Sequence, residues 1–162
     1  MSSSRTLGAS VALVALFAFA LPFAPLALAE GDVDVRKGGN LWARIERGGA
    51  VRVGGTIAGE IEKDGSVRVG GSIAGSVEKD GTIRDDGTIR GRVEKDGTLR
   101  LDGTIVGWIE EDGAIRRNGS IWGSAAPCCA TFDETRRIAA LLYFFDRGFF
   151  RGRAERRSRR GE

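Results

Sequence analysis

Five glutamates stand sixteen residues apart, at Glu46, Glu62, Glu78, Glu94 and Glu110. Carboxylates in series could serve general acid and base catalysis, but a working pair needs two environments that split the pKa values. Identical spacing gives every Glu the same neighbours, so the series reads as a solvated charged face. Asp-Gly pairs at 64–65, 80–81, 96–97 and 112–113 could be calcium loops. Each offers only one or two carboxylates next to Lys or Glu, too few oxygens for a hard cation, and turn chemistry alone accounts for the pair. The chain contains no His, which removes Ser-His-Asp and Cys-His catalysis together with imidazole metal sites. Cys128 and Cys129 are neighbours, and two thiols without His or further Cys do not make a zinc site. The expectation for them is small, half-buried thiols, with an intermolecular disulfide as the alternative. No phosphate loop is present, and no nucleophile sits beside a base. The chemistry-bearing residues therefore point away from an enzyme, a cofactor or a metal.

Two binding features remain. Trp42, Trp108 and Trp122 could form an exposed aromatic patch, the usual mark of an interaction site. Arg151, Arg153, Arg156, Arg157, Arg159 and Arg160 crowd the end of the chain. Together with Arg147 they face only two acids, so residues 149–162 read as a basic, disordered tail suited to an anionic surface.

These residues are positioned by a repeat. Gly39, Gly55, Gly71, Gly87, Gly103 and Gly119 recur every sixteen residues. Counting from that Gly, position 3 is Leu41, Ile57, Ile73, Ile89, Ile105 and Ile121, and position 5 is Ala43 and then Gly five times. Position 7 is Ile45, Ile61, Val77, Val93 and Ile109; position 13 is Val51, Val67, Ile83, Leu99 and Ile115; position 14 is always Arg. A half unit over 32–38 precedes the array. Alternation places positions 3, 5 and 7 on one strand face, with 4, 6 and 8, and hence all three Trp, on the other.

Glu78-Lys79-Asp80-Gly81-Thr82 fits a three-residue hairpin loop, with Gly81 at the left-handed bulge position and Val77 opposite Ile83. The same rule applied to Arg84-Asp85-Asp86-Gly87-Thr88 sets Ile83 against Ile89. All aliphatic groups then meet on one side. A stacked parallel solenoid would instead line up like charges at one strand spacing, which is destabilising. The expected fold is all-β: an antiparallel meander of about six 16-residue hairpins over residues 30–125. Inward glycines permit bending, and the half unit can pair with the last strand, closing a shallow barrel without free edges. The charged outer face does not fit an outer-membrane barrel, which needs an apolar band.

Residues 1–29 have the layout of a signal peptide, with Arg5, an apolar stretch at 11–21 and small residues before a cut between Ala29 and Glu30. Export to the periplasm or the extracellular space follows. Residues 126–148 hold the Cys pair and a C-terminal helix, with Thr131 or Asp133 to cap it and Gly148 to stop it. Residues 138–145 are apolar without interruption, and a helix apolar all round needs a buried berth. The expected berth is the barrel, with Phe149 and Phe150 extending the seal and the helix covering the Trp cluster.

The run DGTIRGRVEKDGTLRLDGTIVGWIEEDGAIRRNG, within a match over about 32–124, resembles the β-flower proteins, bacterial families of radially arranged short hairpins. The resemblance implies a shallow all-β barrel with an apolar interior, and lipid association from its shape. Bactofilins, polymer-forming β-helices, are a looser likeness without the regular Asp-Gly corners. The functional expectation is a non-catalytic, exported structural or interaction module at the membrane. Its partners would be anionic lipid or an acidic envelope polymer, or further copies of itself, rather than nucleic acid. The alternative is an envelope scaffold that polymerises as a bactofilin-like solenoid.

Overall fold

The computed structural model describes residues 31–151. The expected all-β meander is what forms. Its strands are β1 (Val33–Lys37), β2 (Asn40–Ile45), β3 (Ala50–Val53), β4 (Thr56–Ile61), β5 (Ser66–Val69) and β6 (Ser72–Val77). They continue as β7 (Thr82–Asp85), β8 (Thr88–Val93), β9 (Thr98–Leu101), β10 (Thr104–Ile109), β11 (Ala114–Arg117) and β12 (Ser120–Ala126). Each strand pairs antiparallel with the next, and β1 pairs with β12 to close the barrel. Val35 lies opposite Ala125 across that seam, where the half unit completes the sixth hairpin. Equivalent positions of successive units are thus separated by an intervening strand, not stacked as coils.

The two kinds of corner differ. At the loop rim, Gly81 N–H donates to Glu78 O (2.9 Å) and Glu78 N–H to Thr82 O (2.8 Å), with Gly81 at φ +88°. Val77 faces Ile83 there, as the three-residue loop requires. At the opposite rim both corner residues have positive φ: +55° and +86° at Gly38-Gly39, +48° and +74° at Asp86-Gly87, +51° and +84° at Asn118-Gly119. These are two-residue type I′ turns, not the three-residue loops expected from the sequence.

The difference changes which residues face inward. After each type I′ turn the register slips by one at a β-bulge: Arg84 faces Ile89, but Ile83 faces Gly91 rather than Ile89. The bulge residue at position 4 directs its carbonyl to the next turn, so that Gly70 N–H donates to Ala58 O (3.0 Å). Gly38 N–H donates likewise to Trp122 O (3.3 Å), continuing the pattern across the closing seam. An inserted residue reverses the facing of everything before it. Position 3 therefore points outward, against the expectation that it shares a face with positions 5 and 7.

What remains inside is positions 7 and 13, including Ile45, Val51, Val67, Val77, Ile83, Val93, Leu99 and Ile115, all fully buried or nearly so. Glycines at position 5 keep the wall thin. A Cβ on Gly75 would fall on the Arg84 carbonyl oxygen and 2.8 Å from Phe144 Cζ. The space so cleared is filled by α1 (Phe132–Phe145), which contacts β4, β5, β6, β8 and β10. Thr131 caps it with a reciprocal bond to Glu134, and Asp146, not Gly148, is the C-terminal cap. Ile138, Ala139, Ala140, Leu141 and Leu142 are completely enclosed. The short α2 (Arg147–Arg151) then carries Phe149 and Phe150 into the same core.

Candidate functional site

The helix runs through the barrel from the loop rim to the turn rim. Near its start, Arg136 Nη1 donates to Val77 O (3.0 Å), and Arg136 is buried with its guanidinium against Asp133 (2.6 Å). Near its end, contacts come from position 15 of the repeat, just before the type I′ turns. Three units place Val or Leu there, at Val53, Val69 and Leu101, and the other three place Lys37, Asp85 and Arg117. Each of the latter meets the plug. Lys37 pairs with Asp146 at 2.7 Å, the Tyr143 hydroxyl donates to Asp85 at 3.0 Å, and Arg117 lies 5.8 Å over the Phe149 ring. Burial, and then the Asp85 carboxylate, push the Tyr143 phenol up to about 12. These three residues fix the seat of the helix, and the break in repeat identity is the sequence signal that marks them.

The Trp residues divide. Trp42 and Trp122 both occupy position 4, and the bulge brings them toward the plug, not onto the outer face. Their rings meet edge-on at 5.5 Å, Trp122 meets Phe149 at 5.3 Å, and Lys37 Nζ sits 5.7 and 5.0 Å from the two ring centres. Both are partly buried against the core, with Phe149 of α2, not α1, packed on Trp122. Trp108, at position 6, stays on the outer face opposite Thr98 and Arg116. A three-Trp patch does not exist.

The Glu series joins the Arg series. Arg52, Arg68, Arg84, Arg100 and Arg116 each donate through Nε to the Glu six residues earlier, at 2.5–2.7 Å. Both partners are about 40% exposed in every pair, so solvent screens them and each pair adds little to stability. The corner Asp residues are consumed by their own turns. Asp64, Asp80 and Asp96 accept from the N–H of Ser66, Thr82 and Thr98, and these bonds hold their carboxyls below the usual range. Among the described residues no three His, Cys, Asp or Glu side chains converge as a metal site. Cys128 and Cys129 are bonded to each other, instead of standing as thiols or waiting for a second chain.

Large aliphatic side chains stand exposed at position 3. Leu41, Ile57, Ile73, Ile89 and Ile121 are 52–70% exposed, and each stands across from an Arg of the neighbouring strand. With the half-buried Ile105 they ring the turn rim on an otherwise polar outer face. The sequence reading missed this ring because it paired position 3 with the core; the Gly-Gly, Asp-Gly and Asn-Gly dipeptides could have revealed it. The chain also leaves the barrel at this rim, where α2 packs Phe149 against Trp122. Of the tail arginines, Arg151 ends α2, while Arg153, Arg156, Arg157, Arg159 and Arg160 lie outside the described residues, as do Ala29 and Glu30. Compared with family profiles, curated proteins and solved structures, the chain finds no match in any of the three.

Proposed function

We propose that this is an exported, non-catalytic module that docks peripherally on anionic lipid through its turn rim. The observation that carries the reading is a coincidence of place: exposed aliphatic side chains ring the rim from which the Arg-rich end of the chain departs. Apolar groups beside cations are the composition that anionic bilayers attract, through burial and charge together. Among the described residues the protein's own helix fills the middle of the barrel, leaving a cleft at the loop rim beside Val77, Asp133, Arg136 and Arg137. The β-flower resemblance points the same way. Polymerisation by strand addition has less support, since ring closure leaves no free edge among the described strands.

Vesicle sedimentation tests this reading. The chain from Glu30 should bind phosphatidylglycerol-containing vesicles, release them as salt rises, and bind more weakly once residues 152–162 are removed. Failure to bind such vesicles at low salt rejects it.

A further inference from the structure

The ring of aliphatic residues is not uniform in charge. Around the barrel, the consecutive segments 116–122, 36–42, 52–58 and 68–74 read RRNGSIW, RKGGNLW, RVGGTIA and RVGGSIA. They hold Arg36, Lys37, Arg52, Arg68, Arg116 and Arg117 and no carboxylate of their own, although Lys37, Arg52, Arg68 and Arg116 pair with Asp146, Glu46, Glu62 and Glu110 from outside these segments. The other two segments, 84–90 and 100–106, read RDDGTIR and RLDGTIV and carry Asp85, Asp86 and Asp102 beside Arg84, Arg90 and Arg100, so they are neutral where the first four are positive. Asp86 and Asp102 sit at the tips of their turns with positive φ, whereas the first four tips are Asn-Gly or Gly-Gly. Ile121, Leu41, Ile57 and Ile73 are 70%, 52%, 61% and 68% exposed, so the acid-free arc also contains most of the exposed apolar surface.

We infer that this arc, rather than the whole rim, enters the bilayer, so that the barrel stands tilted with the Asp86 and Asp102 turns lifted clear. The inference rests on the docking reading above and names its contact. The Gly-Gly tips at 38–39, 54–55 and 70–71 carry no side chain, so the backbone there can approach phosphate oxygens closely. The four aliphatic side chains reach the acyl boundary; of the Arg residues across from them, Arg52, Arg68 and Arg116 are engaged by Glu46, Glu62 and Glu110, so Arg36 together with Arg117 supplies the charge that meets the lipid phosphates. On the other side, turn-tip carboxylates are repelled by the negative surface. The α2 helix lies beside this arc, since Phe149 contacts Trp122 and Arg117.

Matched substitutions on the two sides separate the arc from general stickiness. In the chain from Glu30, which keeps every strand and both helices, Ile73→Ser and Ile89→Ser remove residues of similar exposure, 68% and 58%, at the same repeat position. Binding to phosphatidylcholine vesicles with and without phosphatidylglycerol is measured for each, with melting curves to confirm an intact fold. Ile73→Ser should weaken binding to the anionic vesicles about fivefold and Ile57→Ser/Ile73→Ser beyond tenfold, while Ile89→Ser changes it less than about twofold. Equal losses for Ile73→Ser and Ile89→Ser, or none for the double variant, would overturn the arc while leaving tail-driven docking intact. A parent chain that ignores anionic vesicles overturns docking itself. Sedimentation showing a parent dimer that Ile57→Ser/Ile73→Ser breaks would assign the arc to a second copy instead.

Discussion

Replacing Gly75 by Ala asks whether the plug and the wall fit as tightly as described. The added Cβ would collide with the Arg84 carbonyl oxygen in the adjacent strand and lie 2.8 and 2.9 Å from Phe144 Cζ and Cε1. Neither obstacle yields easily: one is backbone in a closed ring, the other packs against the core. Overpacking of this kind costs about 1–3 kcal/mol, and two simultaneous clashes place Gly75→Ala at the upper end. For a domain of this size that lowers the melting temperature by about 10 °C. Gly48→Ala is the control, because its Cβ meets no atom within 4 Å and its φ lies outside the left-handed region. It should leave stability unchanged or raise it by about 0.4–1 kcal/mol. In a double-mutant cycle, Phe144→Ala should relieve about 1 kcal/mol of the Gly75→Ala penalty, leaving the carbonyl clash. Thermal and urea melts read all of these. If Gly75→Ala melted within about 2 °C of the parent, the helix would not be seated against that wall.

Three further outcomes follow from the seat and the corners. Lys37→Met leaves the buried Asp146 carboxylate without its cation and should cost about 2 kcal/mol in a urea melt, part of which Asp146→Asn restores. Tyr143 is the only tyrosine, so ultraviolet titration of the native protein reads it alone; the phenol should ionise near pH 12 and move down in Asp85→Asn. Because its folded pKa is raised, its stabilising contribution is complete below the ordinary value near 10 and disappears as pH rises through about 12. For Asp64, Asp80 and Asp96 the sign is opposite: their lowered folded values add stability above the ordinary carboxylate pKa, lost as pH falls through the folded values. Melting temperature should therefore drop below about pH 4, and less steeply in Asp80→Asn/Asp96→Asn.

The repeat period, the closing half unit and the Lys-Asp-Gly corners were all readable, because hairpin chemistry at those corners depends on local residue types. The register after the second corner was not. A three-residue loop and a two-residue turn followed by a bulge consume the same number of residues, so the sixteen-residue period is blind to the choice. Only the dipeptides at the tips distinguish them, and Asn118-Gly119 is the plainest, since both residues accept positive φ. That one slip moved Ile57 and its equivalents outward and Trp42 and Trp122 toward the plug. The helix itself was legible from its unbroken apolar stretch, but its orientation was not. Lys37, Asp85 and Arg117 look like ordinary variation in a repeat until Asp146, Tyr143 and Phe149 are found beside them. Cys128 and Cys129 were misread because adjacency argues against a bond, and the pair forms one nonetheless.

Nuclear Overhauser contacts between backbone protons offer the most direct trial of the closed, stoppered ring. Closure gives cross-strand contacts between Val35 and Ala125 and between Val77 and Ile83, with amides of residues 139–142 exchanging only on global unfolding. Contacts joining Val51 directly to Val67, one repeat apart with no strand between them, together with rapid exchange in the helix, would contradict it.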